Sequence, residues 1–404
     1  MPAPRTAPLR HEVERALPSR PFAIELWDGT RVPAENADAP TFALRSPRAL
    51  GHIIRAPGQL GIGRAYVAGD LEVSDLDAAL RVVLDWEPPP LSAAARARLA
   101  LAAVAASGPR RLPRPPATEL HAQGERHSRA RDAQVVRHHY EVSNDFFALF
   151  LDASMTYSCA VFSRGAKTLE DAQEAKLELI CTKLALREGE RVLDVGCGWG
   201  SFALHAASRH GVRVVGITLA PAQAELARRR VAEAGLADQV EIRVVDYREL
   251  AGERFDAVAS IGMVEHVGEE RLDEYARCLS DVLVPGGRLL NHGIARLSPD
   301  YDGPGEFSDR YLFPDGDPVP LSRVVVALER AGFQTDHVEG FRADYAETLR
   351  HWIERLDDRL DDARRLAGDE RLRVWRLYLR AARHGFVTAF TSIYQVRATR
   401  INRP

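Results

Sequence analysis

From about residue 135 onward, short apolar runs alternate with amphipathic segments of helical period. The apolar runs have the length and β-branched content of buried strands, and they read RVLDVG, VRVVGI, VEIRVVD, FDAVASIG and GRLLNHGI. Between them the pattern predicts helices over 201–210, 221–234 and 269–283. Strands that alternate with helices form right-handed βαβ units, so we predict an α/β domain with a mainly parallel, Rossmann-like sheet.

The first hundred residues have a different pattern. Residues 1–105 combine β-like runs such as PFAIELWDGT with the glycine-punctuated LGIGRAYVAGDLEV and an Ala/Leu/Arg-rich helix, which predicts a small α+β module. Residues 106–134 are proline-rich and then basic, as in a linker. Residues 135–404 form the α/β domain, whose last part is predicted to be largely helical. An aromatic face is expected there, through Trp352, Trp375, Tyr378 and Phe386.

Composition narrows the class of protein. The 404 residues are 46% hydrophobic and 27% charged, with a formal net charge of -3, which is typical of a globular protein and not of a nucleic-acid-coating one. No apolar run has the length of a membrane span or the character of a secretory signal, so a cytoplasmic location is expected. The four cysteines lack metal-site spacing, so we expect reduced thiols and no metal.

A glycine-rich turn marks the candidate cofactor site. Gly196, Gly198 and Gly200 follow the strand RVLDV and precede a helix, where a tight turn lets the backbone approach a ligand. In a dinucleotide site the third glycine would stand one residue later, so the spacing favours S-adenosylmethionine. Asp194 and Trp199 belong to the same segment and join the predicted cofactor set, although Trp199 could equally be a core residue.

The ends of the next two strands carry further candidate ligands. Thr218, Leu219 and Gln223 follow the second strand and are expected near the ribose, whereas Asp246 and Tyr247 follow the third and are expected near the adenine. Asp246 could accept a hydrogen bond from the adenine amino group. The alternative is that the glycines form a packing turn and that Asp246 caps a helix. The order of the three elements favours the cofactor site.

Longer motifs resemble the cyclopropane fatty acid synthases and the related mycolic acid methyltransferases. The matching segments are HHYEVSNDFFALFLDASMTYSCAVF, LDVGCGWGSFALHAA, VVGITLAPAQ, IGMVEHVG and DRYLFPDG, and GIGRAYVAGDLEV is similar to longer bacterial members. The resemblance implies a class I methyltransferase fold. It also implies transfer of a methyl carbon from S-adenosylmethionine to the cis double bond of an acyl chain, usually in a membrane phospholipid, with bound bicarbonate as the base.

The resemblance also assigns residues. Cys159, Glu265 and Tyr345 match positions that hold the bicarbonate, and Tyr157 and Ser158 match positions that contact the cofactor. A glutamate beside an anion is consistent with burial that raises its pKa, so that it is protonated. The neighbouring His266 is interpreted as its orienting partner.

Two positions depart from the family pattern. The family has a leucine pair followed by histidine, and a gap-free alignment places Asn291 at the histidine position and His292 one residue later. Because neighbouring strand residues point to opposite faces, His292 could replace the ligand only if the strand bulges or ends near Gly293. A cysteine often proposed as active-site in the family is matched by Ala382, which excludes a thiol nucleophile at that position.

The product stays open at this point. Ring closure gives a cyclopropane, whereas rearrangement of the cation before the proton is lost gives an alkene, a 10-methylene chain that a flavin-dependent reductase partner saturates. A small-molecule N- or O-methyltransferase would share the cofactor half but would not need the YSC and EHVG segments. A non-catalytic lipid-binding protein is disfavoured by the glycine turn and Glu265.

A substrate in a bilayer requires peripheral contact with the inner face of the membrane. The candidate surfaces are the basic stretch 110–131 and the arginine-rich C-terminal helices. The module at 1–105 could present lipid or form a homodimer. No nucleic-acid partner is expected.

Overall fold

The computed structural model describes residues 5–108, 112–120, 124–140, 143–297 and 305–401. In chain order, the helices are α1 (Ala7–Ala16), α2 (Arg48–Arg55), α3 (Gln59–Val67), α4 (Leu76–Asp85), α5 (Ala93–Ser107), α6 (Arg129–Tyr140), α7 (Asn144–Ala148), α8 (Leu169–Lys183), α9 (Ser201–His210), α10 (Pro221–Glu233), α11 (Leu272–Val282), α12 (Glu306–Tyr311), α13 (Leu321–Arg330), α14 (Arg342–Asp357) and α15 (Leu360–Val387). Short 3₁₀ helices span Tyr247–Glu249, Val264–His266 and Glu269–Arg271.

The strands are β1 (Ala23–Glu25), β2 (Arg31–Val32), β3 (Thr41–Leu44), β4 (Leu71–Val73), β5 (Arg191–Val195), β6 (Arg213–Thr218), β7 (Val240–Val244), β8 (Phe255–Ile261), β9 (Leu283–Arg296), β10 (Phe333–Gly340) and β11 (Thr391–Arg400). The chain divides into two compact units. The first comprises 1–119, 305–311 and 368–381, and the second comprises 120–304, 312–367 and 382–404.

The first unit is a small α+β structure. Its four strands lie in the order β2-β1-β3-β4, in which only the β1/β3 pair is parallel. Two distant segments belong to it. In α12, Phe307 packs so closely on Gly63 that a Cβ there would lie 2.4 Å from the ring, and Arg380 of α15 donates to Asp77 at 2.9 Å. The sequence pattern did not predict that these two segments belong to the first unit, because they lie some 200 residues or more further along the chain.

The second unit contains a seven-stranded sheet in the order β10-β11-β9-β8-β5-β6-β7. The pairs from β7 to β9 are parallel, and β11 and β10 are antiparallel to their neighbours. Helices α8, α9 and α10 contribute apolar side chains to the core on one face, and α11 and α13 to the core on the other. The predicted α/β fold and the five predicted strands are confirmed.

The last part of the chain is largely helical, as predicted, with α14 and α15, but it ends in a strand that was not predicted. It contains β11 as well as helices, and β11 lies between β9 and β10 with Ile393, Val396 and Ala398 buried. Helix α15 is interrupted at Gly368, whose φ of 77° is left-handed. The residues of the expected aromatic face are divided between the two units: Trp375 belongs to the first and Trp352 to the second. Among the described residues, no helix is both long and apolar enough to span a bilayer.

Candidate active site

The glycine turn lies at the carboxyl end of β5, where parallel strands commonly present ligands. Gly196, Gly198 and Gly200 have φ values of 76°, 54° and 83°, all in the region that favours glycine. The amides of Gly196 and Cys197 donate to the carbonyl of Ile217 in β6 at 3.0 and 2.9 Å, which fixes the turn against the next strand.

The three glycines have different surroundings. No described atom lies within 4 Å of a Cβ added to Gly198, so this position is open for a ligand. A Cβ on Gly200 would lie 3.3 Å from the Cβ of Ala227. Gly198 lines the two clefts beside the glycine turn, and Gly200 lines neither of them. Gly198 therefore faces a ligand site, and Gly200 serves helix packing.

One cleft follows the ends of β5 to β8. It is lined by all five residues predicted to meet the ribose and adenine, namely Thr218, Leu219, Gln223, Asp246 and Tyr247. The hydroxyl of Thr218 lies 2.9 Å from the Gln223 amide oxygen, to which it donates. Asp246 accepts hydrogen bonds of 2.8 and 2.6 Å from the Arg248 guanidinium. Burial opposes its ionisation, but these hydrogen bonds prevail and lower the pKa of Asp246.

A second cleft lies against the other side of the glycine turn. Its lining includes Tyr157, Ser158, Asp194 and Trp199, all of them predicted cofactor residues. Four residues line both clefts: Gly196, Gly198, Gln223 and Gly262. The two clefts therefore share a boundary at the glycine turn, and we call them together the cofactor groove.

Sequence reasoning missed a buried lysine in this groove. Lys176 of α8 is 1% exposed, and its ammonium donates to the Ser158 hydroxyl at 3.0 Å. Burial lowers the pKa of Lys176 to about 8, and burial raises the pKa of Asp194 to about 7. One feature of the sequence could have indicated Lys176. Gln173 and Lys176 are polar residues on the face of α8 that also carries its buried leucines and isoleucine.

The groove fits S-adenosylmethionine. Asp194 is buried, and its Oδ2 has no hydrogen-bond partner among the described residues, which leaves an acceptor for a cationic ligand group. The open space at Gly198 admits a ligand close to the backbone. These residues would hold the cofactor, which supplies an electrophilic methyl group when bound.

Three of the predicted catalytic residues surround Phe341, at the start of α14. The thiol of Cys159 lies 3.8 Å from the Phe341 carbonyl oxygen, which also accepts from the amide of Tyr345 at 3.0 Å. The His292 ring stacks on the Phe341 ring with centroids 6.2 Å apart. Burial raises the pKa of Cys159, so the thiol is protonated.

The structure corrects the alignment around β9. The β9/β11 register is regular from Arg288 to Arg296, so neither the bulge nor the early strand end near Gly293 is present. Asn291 accepts from the Tyr275 hydroxyl at 2.8 Å, and His292 faces the opposite side, toward Phe341. His292 therefore needs no bulge to face the region of Cys159. The leucine pair was a poor anchor, because a shift of one residue exchanges the two faces of a strand.

A hydrogen-bond chain orients His292. Lys183 donates to Oε1 of Gln395 at 2.7 Å, which leaves the Gln395 amide nitrogen to donate to Nδ1 of His292 at 3.0 Å. Burial lowers the pKa of His292, so the ring is neutral and its proton is assigned to Nε2. Nε2 has no hydrogen-bond partner within the described part of the chain, and it is available as a donor.

Glu265 and His266 lie in the 3₁₀ helix after β8 but have different surroundings. Oε1 of Glu265 accepts from the amide of Ile294 at 2.8 Å, and Oε2 is shielded from solvent without a partner among the described residues. Burial raises the pKa of Glu265 to about 7. His266 lines the cofactor groove and its pKa is lowered to about 4 by burial and then by His127. No hydrogen bond in the described structure joins their side chains, so the orienting pair stays a hypothesis.

Aromatic side chains extend from the groove toward Tyr345. Tyr157, in the groove, stacks on Trp352 with centroids 5.2 Å apart, and Tyr345 meets Trp352 edge-on at 6.1 Å. Tyr345 also contacts Phe386 at 4.6 Å. We call Tyr157, Tyr345, Trp352 and Phe386 the aromatic cluster.

Comparison with known proteins identifies the family. A family model described as mycolic acid cyclopropane synthetase matches residues 127–396. The chain belongs to the cyclopropane fatty acid synthase and mycolic acid methyltransferase family. It is an S-adenosylmethionine-dependent methyltransferase of the lipid-modifying class, as the sequence motifs predicted.

Relatives match over most of this family member's length. A probable fatty acid methyltransferase of Mycobacterium tuberculosis is 38% identical over 97% of this chain and 94% of its own. The cyclopropane-fatty-acyl-phospholipid synthase of Escherichia coli strain K12 is 33% identical over 90% of this chain and 89% of its own. The mycolic acid cyclopropane synthase CmaA1, solved with S-adenosylhomocysteine, is 32% identical with a TM-score of 0.63, covering 66% of this chain and 98% of its own.

Proposed function

We propose that the enzyme transfers the methyl carbon of S-adenosylmethionine to the cis double bond of an unsaturated fatty acyl chain in a membrane phospholipid, and that a cyclopropane results. The observation that carries this proposal is the aromatic cluster, which begins in the cofactor groove at Tyr157 and continues to Tyr345. Tyr345, Cys159 and His292 all contact Phe341. Such surroundings suit an apolar substrate that reacts through a cation.

The aromatic cluster addresses the difficulty of alkylating an alkene. An alkene is a weak nucleophile, so it must be held against the methyl group, and water must be kept from the carbocation that forms. Trp352 is fully buried, and Tyr345 and Phe386 are nearly so. Faces of aromatic rings attract cations by up to about 2 kcal/mol when both are desolvated. The cluster can therefore exclude water and stabilise the positive charge.

Removal of a proton then completes the reaction. We propose that bicarbonate is the base and that Cys159, His292, Glu265 and Tyr345 hold it. His292 offers an N–H from Nε2, and Glu265, with a pKa of about 7, can donate from its protonated form. Hydrogen bonds from neutral donors to an anion are charge-assisted, so they are stronger than hydrogen bonds between two neutral groups. This set replaces Asn291 by His292 as the anion ligand.

Methylenation remains the second candidate product, with a flavin-dependent reductase as partner. The two products share the first step and differ in the fate of the cation. His292 faces Phe341 beside Cys159 without a bulge, so the base need not be displaced, and this favours ring closure. Among the described residues that line the groove, none favours a small-molecule N- or O-methyltransferase.

Peripheral contact with the inner face of the membrane is part of the proposal, because the substrate lies in a bilayer. In the basic stretch 110–131, described arginines that could attract anionic head groups are paired with acidic side chains of the protein. Arg126 and Arg131 both bind Asp315, and Arg129 lies 3.3 Å from Glu249. In the C-terminal helices, Arg364 pairs with an aspartate one turn away. Lipid presentation or dimerisation by the N-terminal part stays a prediction, as do the boundaries at 105 and 134.

The test uses the purified enzyme with methyl-labelled S-adenosylmethionine and vesicles of a phospholipid with cis-unsaturated chains. We expect label in the acyl chains, with a gain of CH2 in a product that resists mild hydrogenation. A product that takes up hydrogen to give a methyl branch would replace ring closure by methylenation. Label found only in added amines or phenols would contradict the proposal.

A further inference from the structure

A group of metal-ligating side chains lies outside the cofactor groove, where α8 packs on α9. The potential ligand atoms of Cys181, His205 and His210 all lie within 4.8 Å of one another. The same Glu178 carboxylate oxygen lies 3.1 Å from Nε2 of His205 and 3.1 Å from Nε2 of His210. Three metal-ligating side chains therefore converge where the two helices pack, and the Glu178 carboxylate adjoins both histidines.

We propose that Cys181, His205, His210 and Glu178 form a binding site for a divalent transition-metal ion with the preferences of zinc. One sulfur, two imidazole nitrogens and one carboxylate oxygen make up a tetrahedral donor set of the kind that zinc accepts. Magnesium and calcium prefer oxygen donors throughout, so a thiol and two imidazoles disfavour them.

The spacing of the donors is close to what such an ion needs. Zinc binds sulfur at about 2.3 Å and nitrogen at about 2.0 Å, which places tetrahedral ligand atoms roughly 3.3–3.8 Å apart. The two histidine–carboxylate distances of 3.1 Å are slightly shorter than this and would lengthen as an ion enters between the ligand atoms. The ligand atoms of Cys181, His205 and His210 lie within 4.8 Å of one another, so side-chain movements of about an ångström would bring these three to the required separations.

Charge and exposure also fit. A thiolate and a carboxylate would neutralise a divalent ion while both imidazoles stay neutral. Cys181 is fully buried, but the Glu178 side chain is 49% exposed and that of His210 is 21% exposed, so an ion can enter from solvent.

An ion here would join α8 to α9. Helix α8 carries Lys176, and α9 follows the glycine turn, so the site would brace two elements of the cofactor groove without entering it. The sequence spacing predicted no metal site. That prediction considered closely spaced cysteines, whereas these donors span residues 178–210 and meet only through helix packing.

The test is titration of the untagged, chelator-treated full chain with Co²⁺, followed by displacement with Zn²⁺. We expect one equivalent of Co²⁺ to bind with a thiolate-to-cobalt charge-transfer band, which Zn²⁺ abolishes. Cys181→Ser should remove the band and Cys278→Ser should keep it. His205→Ala and His210→Ala should each weaken binding by about tenfold or more, while His337→Ala, an exposed control, should not.

A second measurement does not depend on the cysteine variant being folded. Zn²⁺ should raise the midpoint of thermal unfolding of the unaltered chain and have little effect on His210→Ala. A charge-transfer band that persists in folded Cys181→Ser, or the absence of any saturable Co²⁺ binding, would overturn the proposal. In that case Cys181 is a small buried apolar residue, and the two histidines are hydrogen-bond partners of Glu178.

Discussion

Glu265→Gln separates the chemistry from cofactor binding. The amide oxygen of glutamine can still accept from Ile294, as Oε1 does now at 2.8 Å, so the local backbone should keep its geometry. The substitution replaces an acidic O–H, which could pass its proton to a bound anion, by an amide N–H that can only donate a hydrogen bond. A positioned acid or base contributes about 10²–10⁴-fold to a rate, so we expect turnover to fall at least about 100-fold.

The same substitution should change how stability depends on pH. Burial raises the pKa of Glu265 from 4.5 to about 7, so the unfolded chain ionises first and the folded state loses stability as pH rises between these values. At about 1.36 kcal/mol per pKa unit, the loss amounts to at most about 3 kcal/mol. Glutamine avoids it but leaves an amide N–H₂ group poorly paired, at a cost of about 1 kcal/mol. The variant should therefore be about 2 kcal/mol more stable near pH 8.5 and slightly less stable near pH 5.

Three assays check this prediction. Methyl-label transfer to phospholipid vesicles measures turnover, calorimetric titration with S-adenosylhomocysteine measures cofactor affinity, and denaturant unfolding at the two pH values measures stability. The exposed Glu270→Gln serves as the control and should change none of them. The argument is refuted if S-adenosylhomocysteine affinity falls in proportion to turnover, or if Glu265→Gln has the pH dependence of the unaltered enzyme.

The remaining predictions concern the groove and the anion ligands. Gly198→Ala, at a φ of 54°, should weaken S-adenosylhomocysteine binding by about tenfold or more, whereas Gly200→Ala should mainly lower the free energy of unfolding, by about 1–2 kcal/mol; equal affinities for the two variants would contradict the assignment. His292→Ala should abolish most turnover, and Asn291→Ala should instead cost about 1–3 kcal/mol of stability, with the opposite pattern favouring Asn291 as the ligand. The unaltered enzyme should bind S-adenosylhomocysteine less tightly at pH 9 than at pH 7, because Lys176, with a pKa of about 8, loses its proton between these values. Lys176→Met should weaken binding and should not show this pH dependence. A variant that keeps the pH dependence would exclude Lys176.

The strands of the parallel sheet could be predicted because β5, β6 and β8 are short apolar runs buried on both faces, and β7 is a β-branched run whose apolar Val240 and Ile242 are buried. The strands β10 and β11 could not. The first reads FQTDHVEG at the sheet edge and is mostly exposed, and the second reads TSIYQVRATR, whose arginines mask its buried positions. Neither forms a regular hydrophobic alternation, and their pairing depends on contacts with β9.

The cofactor half of the site was predictable from strand ends, since the carboxyl ends of parallel strands meet at one edge. Side chains brought in by helices and by strand register were not. Lys176 occupies the buried face of a helix, where sequence alone does not distinguish a core position from a cleft. The face of β9 on which His292 lies depends on how that strand pairs with its neighbours, and a single sequence does not specify this pairing.

The central claim is carbon transfer to an alkene, and the most direct measurement is mass spectrometry of phospholipid acyl chains after reaction with S-adenosylmethionine carrying a CD3 methyl group. Cyclopropane and methylene products both lose one deuterium from the transferred methyl when the proton is removed, so the account predicts acyl chains that gain CD2. Methylation of nitrogen or oxygen retains CD3. A product that keeps all the deuterium, in any acceptor, would contradict the account.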